Sequence, residues 1–203
     1  MMIVLDQERI DEILAERRAL GIRTNEEVWD GVTYLMPDPN NEHQDLAGDF
    51  LVIFKLLFCF GTENRAEATP NLSDRVRGWK KNYRNPDMAY FPADSLAVDC
   101  KTHWCGGPDF LLEIVSPNDK CRDKLRFYAS IGTKEVLILD RDPWKLELYQ
   151  LSKGRLRLTG MARPGHTKLL ESRVVPLTFQ LLRSRPRPKI RIKHTESDQE
   201  WTF

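Results

Sequence analysis

No apolar run in this chain reaches the ~18 residues of a membrane span. The longest, Phe50 to Phe60, is broken by Lys55. The first residues, M-M-I-V-L-D-Q-E, carry no basic segment and no signal-peptide core. A cytoplasmic protein without a membrane partner is therefore expected. Cysteine is scarce, with only Cys59, Cys100, Cys105 and Cys121 among 203 residues. Without a secretory signal these read as free thiols rather than disulfides. Cys100, His103 and Cys105 cluster in C-K-T-H-W-C, but a fourth ligand and the usual C-x2-C spacing of a zinc site are missing. A loop with buried thiols is the plainer reading, with a zinc-containing structural module as its rival. Internal repeats are absent, and so is net charge of either sign, which is only +1.

That near-neutral total conceals a division. Residues 1–50 hold twelve acids and four bases, and the remainder holds 27 bases and 18 acids. The two parts thus carry −8 and +9, a polarity that suits a protein offering one face to a polyanion, or one patterned for solubility. With 30% charged and 41% hydrophobic residues, the chain reads as globular and long enough for one domain with a real core.

Periodicity sketches the elements. Residues 6–20 form an amphipathic helix with Asp6 as its cap, Ile10, Ile13 and Leu14 as its stripe, and Gly21 as its stop. Val28 to Met36 is a hairpin turning at Asp30-Gly31. Asn40 or Asn41 caps a core helix running to about Cys59, with Leu46, Phe50, Ile53, Phe54 and Leu57 at helical spacing. Strands are expected at 86–91, 110–115 and 136–139, with a helix from Asp119 to Ile131. Leu146–Leu151 and Arg155–Met161 alternate as a hairpin, Val174-Val175 add an edge, and Thr178–Leu182 forms one helical turn. The fold class is mixed α/β, a central mixed sheet flanked by helices, occupying residues 1–183. Residues 184–203 read as a basic, poorly ordered tail.

Chemistry concentrates in residues 107–128. Glu113 stands inside L-L-E-I-V, where an ionised carboxylate is costly unless it is paired or bound to metal. Pairing with an arginine in the core is its ordinary explanation. Asp87, in N-P-D-M-A-Y-F, opens a neighbouring strand, where turn or cap chemistry is the ordinary explanation. Lys124 and Tyr128 are four apart on the next predicted helix, so Lys124 can reach back toward Glu113. Two carboxylates at strand ends with a lysine nearby are what a divalent metal and a phosphodiester require. Arg75 to Arg84, R-V-R-G-W-K-K-N-Y-R, interleaves Arg75, Arg77, Lys80, Lys81 and Arg84 with Trp79 and Tyr83, a composition suited to phosphate contact and base stacking. In the tail, Arg183, Arg185, Arg187, Lys189, Arg191 and Lys193 occupy every second position and would face one way in an extended chain.

Taken in order, these motifs resemble the Uma-two family of restriction-endonuclease-like proteins, in the PD-(D/E)XK nuclease superfamily. The resemblance spans roughly residues 24–151. It runs through E-V-W-D-G-V with Met36, N-E-H-Q, P-D-M-A-Y-F, G-P-D-F-L-L-E-I-V-S-P, D-K-L-R-F-Y, I-G-T-K-E-V-L-I-L-D and L-E-L-Y. It implies a restriction-endonuclease-like core and a Mg²⁺- or Mn²⁺-dependent endonuclease acting on DNA. The implied metal ligands are Asp87 and Glu113, with the Ile114 carbonyl, and the implied catalytic lysine is Lys124. Glu27 and His43 match the family's early acid and helix histidine. Val115 stands where the superfamily has its usual lysine, and Lys124 on the next helix takes that role. A homodimer is compatible with this reading. The rival is a degenerate nuclease fold that binds nucleic acid or a protein partner without cleaving.

Overall fold

The computed structural model describes residues 2–4, 7–21, 26–36, 38–116 and 120–203. Asp6 and Asp119, expected as helix starts, lie outside them. No helix among the described residues is long and apolar enough to cross a membrane.

A six-stranded sheet organises the molecule, in the order 155–162, 144–152, 135–141, 110–114, 88–91 and 65–68. Within this sheet Phe110–Ile114 and Glu135–Arg141 are the one parallel pair of neighbours among the described residues. A parallel neighbour cannot be reached by a hairpin, so the chain crosses over between them. The crossover holds the short helix Leu125–Ser130, making the expected strand–helix–strand unit. Both parallel strands are buried on both faces, which explains their continuous apolar runs.

Strand alternation sorts these residues into two cores. Phe110, Leu112 and Ile114 face the helix Asn41–Phe54 and pack with its Leu46, Phe50, Ile53 and Phe54. Leu111 faces the other way and packs with Phe127 and Tyr128. Glu113, two residues on from Leu111, shares that second face. The long helix begins where expected, because the Asn40 side chain accepts the His43 N–H at 3.0 Å. It continues through a wider turn at Lys55–Cys59.

A seven-stranded sheet includes the hairpin Glu26–Trp29/Val32–Leu35 and the short strand Tyr83–Arg84. The hairpin turns on Asp30 (φ 50°) and Gly31 (φ 88°), the left-handed pair its two-residue loop requires.

The C-terminal segment departs from expectation. Residues 184–203 are not an unstructured tail. Lys189–His194 and Glu200–Thr202 are strands of a four-stranded sheet with Leu170–Glu171 and Leu177–Leu182. The expected helical turn at Thr178–Leu182 is the long strand of that sheet, and the edge strand is Leu170–Glu171 rather than Val174-Val175. The physical reason is a second alternation. Ile190 and Ile192, between the basic residues, are fully buried against Leu177, Phe179 and Leu181. The basic side chains are the outward half of a half-buried strand. Ile192→Val should therefore lower stability by about 0.5–1.5 kcal/mol, read as a reduced urea midpoint. An unchanged midpoint would return the segment to a tail.

Candidate active site

Glu113 is the second-to-last residue of its strand, and its carboxylate is almost completely enclosed. Tyr128 Oη donates to its Oε1 at 2.5 Å. Lys124 Nζ lies 3.2 Å from Oε1 and 3.4 Å from Oε2. The same ammonium donates to Glu27 Oε1 at 2.8 Å. Glu27 is held in turn by the Asn85 N–H at 2.9 Å and by Trp29 Nε1 at 2.7 Å. One lysine thus bridges two carboxylates, and all three groups are buried. Burial and the neighbouring Glu113 and Glu27 charges push the Tyr128 hydroxyl well above the usual tyrosine range. It therefore stays protonated and fixes the Glu113 carboxylate as a permanent donor.

Asp87 lies at the same end of the adjacent antiparallel strand. It precedes Met88, the register partner of Leu112, and its backbone N–H donates to the Leu112 carbonyl at 3.1 Å. Even-numbered residues of Phe110–Ile114 direct their backbone groups toward Met88–Phe91. At Ile114 that neighbour has ended, and side chains take over. Asp87 Oδ2 accepts the Ile114 N–H at 2.6 Å, and His43 Nε2 lies 3.1 Å from the Ile114 carbonyl oxygen. A carbonyl only accepts, so Nε2 carries the proton. His43 Nε2 is also 3.4 Å from Asp87 Oδ1. Two oxygens therefore converge on one ring nitrogen.

Two arginines brace this arrangement. Arg122 donates from Nε to Glu147 at 2.9 Å and from its terminal nitrogen to Asp140 at 2.8 Å. It pins the single 3₁₀ turn Cys121–Lys124, whose last residue is Lys124, onto the sheet. Burial alone would raise the Glu147 carboxyl, but the Lys145 and Arg122 hydrogen bonds outweigh it and hold that carboxyl below its ordinary value. Arg141, at the end of Glu135–Arg141, donates to Asn40 Oδ1 at 2.8 Å and to Glu42 at 3.2 Å. It ties the cap of the His43 helix to the ends of the two parallel strands.

All five candidate catalytic residues thus gather around the end of one strand. Glu27, Lys124 and Glu113 form one contact set, and His43 and Asp87 form another beside it. Sequence reasoning missed two contributors. Tyr128 was signalled by its spacing from Lys124. Arg141 had only its place at the end of V-L-I-L-D-R as a signal. Lys124 differs in setting, since it closes a 3₁₀ turn rather than lying within one long helix.

The basic segment divides. Arg75, Arg77, Lys80 and Lys81 are exposed, and Arg75 pairs with Asp74 at 2.7 Å. Arg84 is buried and does not belong to a phosphate-contacting surface. Its guanidinium donates to the Val28 carbonyl at 2.7 Å and lies between the rings of Trp29 (4.7 Å) and Phe127 (4.2 Å). It is the spacer between the seven-stranded sheet and the crossover helix. Burial pulls its pKa below the ordinary value, against the opposing pull of Glu27. His103 is likewise committed. Its two ring nitrogens contact Thr102 Oγ1 and the Arg75 carbonyl, each at 3.1 Å, and its ring stacks on Trp79. Neither nitrogen is left for zinc. Among the described residues no group of three or more His, Cys, Asp or Glu side chains is placed to hold a metal.

Comparisons with known proteins bear on the family and the fold. A family model, Uma2, described as "Putative restriction endonuclease", matches residues 21–183. Among solved structures, a "putative nuclease" from Anabaena variabilis aligns with TM-score 0.54 at 16% sequence identity. The alignment covers 69% of this chain and 80% of that one. At that identity the likeness is one of fold. No curated protein matches the chain.

Proposed function

Starting from a chain that belongs to the Uma2 family, we propose that it is a metal-dependent endonuclease that hydrolyses DNA phosphodiester bonds at the Asp87–Glu113 site. The observation that carries this reading is the enclosed Glu113–Lys124–Glu27 set beside Asp87 and the Ile114 carbonyl. Burying three charges is expensive, and stability alone does not require it.

The donor set suits Mg²⁺ or Mn²⁺. Asp87, Glu113 and the Ile114 carbonyl supply hard oxygens, and such ions are commonly held by one or two carboxylates with water and substrate phosphate completing the shell. No third protein carboxylate is needed, which is compatible with the absence of a larger acidic group among the described residues. When bound, the ion would neutralise phosphate charge and acidify a water.

The chain's own groups have distinct tasks. Lys124 presents its ammonium where it can orient the attacking water or offset charge growing on the phosphate oxygens. Glu27 and Glu113 share that ammonium and set its position. Tyr128 fixes the rotamer of Glu113. His43 binds the Ile114 carbonyl and stands beside Asp87.

A second reading draws on the same burial. Glu113 and Lys124 are each 2% exposed. A nuclease fold that binds DNA or a protein partner without cleaving would tolerate a closed site. Plasmid incubated with purified protein separates the two. Cleavage is expected with Mg²⁺ or Mn²⁺ and should vanish on chelation. No metal-dependent cleavage across supercoiled, linear and single-stranded substrates would favour the non-cleaving reading.

A further inference from the structure

The basic alternation of the C-terminal strand is not used by the site above. In the four-stranded sheet, Ile190 and Ile192 point into the core while Lys189, Arg191 and Lys193 point outward. Lys189 and Lys193 are exposed, and Arg191 is half-buried. Opposite them, Thr178 and Gln180 of the neighbouring strand are polar. The face carries two opposing charges in the row of Lys193: Glu200 pairs in register with Lys193 and lies 4.0 Å from Arg191, and Glu171 lies beyond Thr178 on the other side. Arg191 is fixed by a hydrogen bond to Gln180.

The near end of this strand leads back to the candidate active site. Arg187 Nε is 3.5 Å from Glu42, and Arg141 reaches the other oxygen of the same carboxylate at 3.2 Å. Arg141 also holds Asn40, which caps the helix at His43, and His43 faces Asp87. Arg141 and Arg187, which share the Glu42 carboxylate, therefore link the Asp87 end of the central sheet to the strand that carries Lys189, Arg191 and Lys193.

We infer that this C-terminal strand is a phosphate-tracking surface, carrying the nucleic-acid backbone away from the Asp87–Glu113 site. Spacing supports the assignment. Two residues along a strand advance about 6.6–6.8 Å. Phosphates of one strand of duplex DNA advance about 3.4 Å each along the axis while also winding around it, so successive phosphates are separated by more than that rise, a separation comparable to the step between basic side chains. Regular one-sided cations on a rigid strand, with their acidic neighbours confined to the row of Lys193, suit a backbone and read no sequence. The inference rests on the nuclease reading only for the direction of the track. Binding itself does not depend on cleavage.

The test is fluorescence anisotropy with the full chain and a labelled duplex in chelator, so that nothing is cut, across a salt series. Lys189→Gln with Lys193→Gln removes two exposed charges without touching the core, and an unchanged melting temperature verifies that. The double variant should bind several-fold more weakly to every sequence, and the slope of log affinity against log salt should fall in magnitude by roughly 1.8. Arg155→Gln with Arg157→Gln, exposed on the edge strand 155–162 of the central sheet, should leave both quantities unchanged. Three results would overturn the inference: no duplex binding by the wild type, equal effects of the two double variants, or binding of anionic vesicles as tight as that of DNA. Loss of binding in a protein that never cleaves would retain the track and remove only the nuclease.

Discussion

Glu113→Gln and Asp87→Asn should each lower metal-dependent cleavage by at least roughly 10²–10³-fold, the scale of removing one preorganised electrostatic group. Each swap keeps shape and removes one negative charge, and Mg²⁺ needs carboxylate ligands. Folding should survive both. In the wild type one Lys124 ammonium serves two buried carboxylates, Glu27 and Glu113. Glu113→Gln leaves a matched pair, and the amide oxygen can still accept from Tyr128. Its melting temperature should equal or exceed that of the wild type. Asp87→Asn keeps an oxygen for the Ile114 N–H, so it too should melt near the wild-type temperature. Cleavage time courses on plasmid, with thermal melts of the same samples, make the measurement. A Glu113→Gln protein that still cuts would refute the site and leave the fold untouched.

Lys124→Met should be the most destabilising single change at the site. It leaves Glu27 and Glu113 facing each other, both enclosed, with no ammonium between them. Removing one partner of a buried ion pair costs about 3–5 kcal/mol. The loss should be greatest at neutral pH and shrink as acid protonates one of the two carboxylates. It should also shrink when Glu27→Gln is added, because the added swap removes the repulsion that the first created. Urea denaturation of the single and double variants at two pH values reads both effects. A Lys124→Met protein as stable as the wild type would mean that the ammonium does not hold the two acids together. A variant rescued in stability by Glu27→Gln but not in cleavage would separate the structural task of Lys124 from its chemical one.

Much of the central sheet was legible in the sequence because its signals are local. F-L-L-E-I and V-L-I-L are runs buried on both faces, and such runs mark strands of a sheet covered on both sides. Asp30-Gly31 marks a hairpin because only left-handed backbone closes a two-residue turn. Asn40 marks a helix start because its side chain satisfies an otherwise orphan N–H. Glu113 marked itself by being an acid in an apolar run.

The C-terminal strand shows where local signals mislead. Its charges and its isoleucines alternate together, and attention to the charges alone suggests a solvated tail. Only pairing with Leu177–Leu182 makes Ile190 and Ile192 worth burying, and that partner is defined by tertiary contact. Arg84 is the same lesson in reverse. A basic residue in a basic segment looks exposed until Trp29 and Phe127, distant in sequence, close over it.

What the sequence determined by itself was the mixed α/β class, the crossover unit, the capped core helix and the identity of residues that are costly unless they have partners. Those follow from period, turn chemistry and the price of a buried charge, all of which act over a few residues. What only the tertiary structure decided was the set of partners. Glu27 and Lys124 are 97 positions apart and meet at 2.8 Å. His43 crosses 71 positions to reach the Ile114 carbonyl. Such contacts depend on how sheets and helices stack, and no local preference of either residue encodes them.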